Sequence, residues 1–110
     1  MKTQKQVQKD IDTLMEVGNR TSDTKEKNRI RKRLQFLRPI RLYMEHDPTE
    51  ESVSSQLRHC LKKIDVINRE FEATHPSYCD AKTKREWMKG KGLPELKKQV
   101  KVLQYLLGSE

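Results

Sequence analysis

Apolar residues recur along this chain at three- and four-residue steps with polar residues filling the positions between, which is the pattern of amphipathic helices. No segment alternates β-branched and polar residues over the roughly four to eight positions that a half-buried strand needs. The expected fold class is therefore all-α. A first helix over residues 3–17 sets Val7, Ile11, Leu14 and Met15 on one face, with Gly18 and Asn19 as its stop. In the second helix Asp23 stands as N-cap with Glu26 at capping-box spacing, and Ile30, Leu34, Leu37 and Met44 share one side. Pro39 falls inside that pattern. It has no amide N–H and its ring clashes with the preceding turn, so the second helix is expected to be kinked or split there.

The third helix has a strong start signal: Asp47 as N-cap, Pro48 at the first helical position and Glu50 three residues after the cap. Its apolar face runs through Val53, Leu57, Cys60, Leu61, Ile64, Ile67 and Phe71. After a break at His75, Pro76 and Ser77, a short helical segment over residues 81–89 carries Trp87 and Met88. Gly90 and Gly92 punctuate the chain again. Pro94 opens a last helix bearing Leu93, Leu96, Val100, Leu103 and Leu107, which Gly108 closes. Four main helices with short connections imply a compact antiparallel bundle or a compact pair of α-hairpins, the short segment lying across one end. A length of 110 residues matches a single domain, residues 1–110, with one modest core.

Composition narrows this picture. At 33% hydrophobic and 36% charged residues the chain is polar for a globular protein, yet its regular apolar spacing argues against disorder. No apolar run is long enough for a signal peptide or a membrane span, so a cytoplasmic protein without a membrane partner is expected. Two cysteines, Cys60 and Cys79, fit a reducing compartment, with their pairing left open.

The net charge of +8 points to anionic partners, and its distribution matters more than its total. Residues 21–46 carry eight cations and three acids, whereas residues 47–75 carry four cations and six acids. A second basic region, residues 82–101, holds eight cations. On a helical wheel Lys25, Arg29, Lys32, Phe36 and Tyr43 fall on one stripe of the second helix, and Lys27, Arg31 and Arg38 on the far flank. Arg33 and Arg41 add to the field. Cations interleaved with aromatic rings suit nucleic acid, since the cations neutralise phosphate and the rings stack on bases. The plain alternative is a solvated flank whose methylene stems cover apolar shoulders. In the second region Lys82, Lys84, Arg85, Lys89 and Lys91 are the candidate assisting residues, and the Lys89-Gly90-Lys91-Gly92 run lets backbone approach a phosphate. That run lacks the spacing and the preceding strand of a Walker A loop.

Other chemistries find little support. His59, Cys60, His75 and Cys79 offer metal donors at unsuitable spacing, and Cys60 matches the apolar stripe, so no metal or cofactor is expected. A Cys79–His75 nucleophile lacks an orienting acid, and Pro76 disturbs its geometry. Asp12 and Glu16 share a face, but Asp10 does not; ion pairs with Lys5 and Lys9 are the ordinary reading of these acids. Residues 48–64 have the cadence of a recognition helix, in a net negative region ill suited to a DNA groove. The expectation is thus a small basic non-enzymatic binding module. It contacts nucleic acid or a nucleoprotein complex through residues 25–41, as a free-standing binder or as an inhibitor or accessory factor of a larger RNA- or DNA-handling enzyme. The competing expectation is an assembly subunit docking its basic helix on an acidic protein or on a second copy of itself.

Overall fold

The computed structural model describes residues 1–75 and 80–108. Every regular element among them is an α-helix: α1 (Gln4–Arg20), α2 (Thr24–Met44), α3 (Glu50–Thr74), α4 (Ala81–Gly90) and α5 (Leu93–Leu107). No helix among the described residues is long and apolar enough to cross a membrane. The chain gathers into two compact units, Met1–Thr49 and Glu50–Glu110.

The first unit is a pair of packed helices. A capping box starts α1: the Gln6 N–H donates to Thr3 Oγ1 at 3.3 Å, and the Thr3 N–H donates to Gln6 Oε1 at 2.8 Å. The helix does not stop at Gly18 but continues to Arg20, where Arg20 donates to Glu16 at 2.5 Å. One glycine in a helix costs only about 1 kcal/mol against alanine. Here it faces α2, where an added Cβ would lie 3.5 Å from Ile30 Cγ2. Gln8 meets Arg41, and Gly18 meets Ile30, so the two helices run antiparallel.

Asp23 caps α2 as expected, accepting from the Lys25 N–H at 3.0 Å. The predicted reciprocal bond from Glu26 is replaced by a relay. The Asp23 N–H donates to Thr21 Oγ1 at 3.2 Å, and that hydroxyl donates to Glu26 Oε2 at 3.0 Å. Pro39 does not split the helix, which runs as one element to Met44. Leu37 and Ile40, on either side of the proline, are each 1% exposed, and their packing holds the chain helical. Pro39 itself is exposed, and the Gln35 carbonyl goes without its helical donor.

In the second unit α5 packs along α3, and α4 packs against α5. The start of α3 is later than predicted. It begins at Glu50, because Asp47 adopts a left-handed φ of 49° instead of the extended conformation of an N-cap. Phe71, Met88 and Leu93 form a buried cluster flanked by Ile64, Ile67 and Trp87. Trp87 meets Phe71 edge-on with ring centroids 5.4 Å apart, and His75 stacks on Phe71 at 4.2 Å. Trp87 is thus a half-buried flank of the buried cluster. Leu61, counted in the apolar face of α3, is 46% exposed instead, one residue off the buried line of Val53, Cys60 and Phe71. The break predicted after His75 falls at residues 76–79, outside the described residues.

The helix α4 is capped by Asp80, which accepts from the Thr83 N–H at 2.7 Å. That backbone bond, with help from the Thr83 side chain, holds the Asp80 carboxyl below its ordinary range, while desolvation pulls weakly the other way. Gly92 enters α5 at a left-handed φ of 78°, which a side chain would resist, and Pro94 sits in the first turn. Along α5, Tyr105 and Leu106 are buried beside the expected Leu93, Val100 and Leu103.

Candidate functional site

The eight cations of α2 separate into three groups. Lys25, Arg29 and Lys32 form an exposed stripe on one flank, adjoining the half-buried Phe36 and Tyr43. Lys27, Arg31 and Arg38 are exposed on the other flank. The two stripes lie roughly 140° apart at about 100° per residue, with Asn28, Gln35, Pro39 and Leu42 between them. Arg33 and Arg41 turn inward and are only half exposed. Arg33 places its guanidinium 4.8 Å from the Phe36 ring centroid, and Arg41 donates to Gln8 and lies 3.7 Å from Glu45. The basic segment is therefore two stripes on one rod, and Arg41 serves the α1–α2 contact.

Lys25, Lys27, Arg29, Lys32 and Arg38 make no ion pair among the described residues. The one acid within residues 25–41, Glu26, is engaged by Thr21. The flank carrying Lys27, Arg31 and Arg38 borders an open groove of about 390 Å³ between α1 and α2, floored by Met15, Gly18, Ile30 and Leu34. Met15 is 46% exposed in it. Sequence reasoning placed Met15 in the core, and only the antiparallel packing of α1 on α2 shows it at a groove.

The second predicted region lies in the other unit and also divides. Lys91 is exposed and lies 3.7 Å from Glu70 and 5.3 Å from the Trp87 ring centroid. Lys84 lies 5.4 Å from the Phe71 ring centroid. Lys82 stays exposed on α4. Arg85 and Lys89 line a groove of about 760 Å³ between α4 and α5, where Lys97 and Lys98 join them. Those two lysines were absent from the predicted set. Their signal was present in the sequence as an adjacent pair in the first turns of the last helix.

Among the described residues no group of three His, Cys, Asp or Glu side chains is arranged to hold a metal ion. Cys60 is buried in α3 while its neighbour His59 is exposed. His75 Nδ1 lies 2.9 Å from Thr74 Oγ1 and 3.3 Å from the Phe71 carbonyl, and Cys79 falls outside the described residues. The acids of α1 have partners other than those expected. Asp10 meets Lys2 at 3.3 Å, Asp12 accepts from Gln8 at 2.8 Å and Glu16 pairs with Arg20, so Lys5 and Lys9 are not their partners.

These observations define an all-helical chain of two compact units, each presenting cations around an apolar groove. No protein-family model matches it, and neither a curated protein nor a solved structure is significantly similar to it.

Proposed function

We propose that this chain is a small, non-enzymatic helical binding module whose α2 contacts the phosphates of nucleic acid, free or within a nucleoprotein complex. The supporting observation is the exposed stripe of Lys25, Arg29 and Lys32 on one flank of α2, none in an ion pair among the described residues, to which Lys27 and Arg38 add field from the other flank. Such side chains keep condensed counterions off phosphate at no cost of breaking internal bonds, and counterion release drives association. Phe36 supports Arg33 more than it offers a stacking platform, since it is half buried beneath that guanidinium. Contacts of this kind position a chain on a backbone without reading sequence.

The test is binding of labelled single- and double-stranded oligonucleotides followed by anisotropy across a salt series. A linear fall of log K with log salt is expected, with little sequence preference. Replacing Lys25, Arg29 and Lys32 by Gln should reduce the slope by about 2 to 3, at roughly 0.7 to 0.9 per lost phosphate contact. No binding at low salt, or a slope unchanged in the variant, sinks the reading.

The apolar groove beside Lys27, Arg31 and Arg38 favours a second reading, in which α2 docks on an acidic protein face or on a second copy. That reading expects a salt-labile complex in nuclease-treated protein, seen as added mass in solution.

A further inference from the structure

We propose that the groove between α4 and α5 is a docking site for an amphipathic helix with acidic flanks, presented by a protein partner. This surface is separate from α2, and the inference does not depend on what α2 binds.

The groove has a volume of about 760 Å³ and is partly open to solvent. Ala81, Met88, Leu93 and Pro94 supply its apolar floor. Ala81 and Pro94 are exposed, whereas Met88 and Leu93 show only their edges, being 7% and 5% exposed. On α4, Ala81 and Met88 stand at i and i+7, so the floor follows two helical turns, about 10 Å at 1.5 Å per residue. That length matches the i, i+3, i+4, i+7 anchors by which a helix lies in a groove.

Charge complementarity selects the partner. Arg85 and Lys89 on one wall and Lys97 and Lys98 on the other make no ion pair among the described residues. Among the described residues Glu95 is the only carboxylate that lines the groove. A helix carrying leucine-type anchors with Asp or Glu on both flanks satisfies floor and walls together. Nucleic acid satisfies only the walls, because phosphates paired to the lysines leave the apolar floor wet. The rim charges would act mainly on encounter and specificity, and the floor on lifetime.

The probe is a labelled synthetic helical peptide with leucines at i, i+3, i+4 and i+7 and glutamates on its flanks, titrated with the full chain and read by anisotropy. We expect saturable binding that weakens about tenfold, roughly 1.4 kcal/mol, in an Arg85→Glu, Lys89→Glu variant. It should weaken similarly in Ala81→Glu, which fills the floor at an exposed position. Both variants should keep the parent circular dichroism, and Lys25→Glu with Arg29→Glu should leave peptide binding unchanged. The inference is overturned if the peptide does not bind. It fails equally if a same-composition peptide with scrambled leucines binds as well, since the floor then contributes nothing. Displacement of the peptide by an equimolar single-stranded oligonucleotide would likewise reassign the groove to nucleic acid. A failure of oligonucleotide binding with peptide binding intact would strike only the reading of α2.

Discussion

The first unit holds twelve cations against seven acids, and the second twelve against nine. Similar totals are laid out differently. In the first unit eight cations share α2 with a single acid, so like charges follow one another along a rod and find few partners. In the second they are spread over three helices, and two of them are drawn over aromatic rings, Lys84 over Phe71 and Lys91 over Trp87. Lys91 also reaches Glu70. Composition alone does not tell cations left without partners from cations engaged in packing; crowding on one element does, because it outruns the acids within reach.

The comparison breaks most visibly in the cores. Leu37→Ala in the first unit and Leu103→Ala in the second, 1% and 2% exposed, should each cost about 2 to 5 kcal/mol in urea unfolding followed by circular dichroism. A chain of one domain should lose both units in one transition; two separate midpoints would make each unit a folding unit in its own right. In oligonucleotide binding, neutralising Lys25, Arg29 and Lys32 should weaken affinity about tenfold or more at low salt. Neutralising Lys97, Lys98 and Lys101 should cost less than half as much in free energy; equal losses would erase the distinction between the units.

Backbone changes give smaller effects of opposite sign. Gly92→Ala forces a side chain into the left-handed region and should lower stability by about 1 to 2 kcal/mol. Gly18→Ala should raise it by about 0.5 to 1 kcal/mol, since the new methyl lies at ordinary contact distance from Ile30 and the helix gains propensity. The smallest effect concerns pH. Asp80 has its carboxyl pKa lowered by the Thr83 N–H, so its contribution is present above the unfolded-state value and is lost as pH falls through the folded one. Asp80→Ala should therefore lower the melting temperature slightly at neutral pH, with the gap to the parent closing in acid.

Helix number and type were legible because apolar spacing and punctuation agree: Asp23, Pro94 and Gly108 stand at or next to the helix ends they mark. The ends that were misjudged depend on distant atoms. Gly18 reads as a stop until Ile30 packs beside it, and Asp47 reads as a cap until its backbone turns left-handed. The Thr21 relay cannot be read from spacing, because it needs a residue outside the capping box to supply the hydroxyl. Of the candidate site, the exposed cations of α2 followed from the wheel. The partners of Arg41 and Lys91 did not, because Gln8 and Glu70 lie on other helices. Ile40, directly after the proline, is buried at 1% exposure, and that burial outweighs one missing hydrogen bond.

Pro39 leaves α2 short of one rung, with the Gln35 carbonyl on the solvent side. A rod bearing eight like charges repels itself along its length, and the turn with the fewest rungs is where that tension is released most cheaply. Amide exchange within the interior of α2 should therefore be fastest around this turn, while Ile30 and Leu37 before it and Ile40 and Met44 after it stay seated in the core.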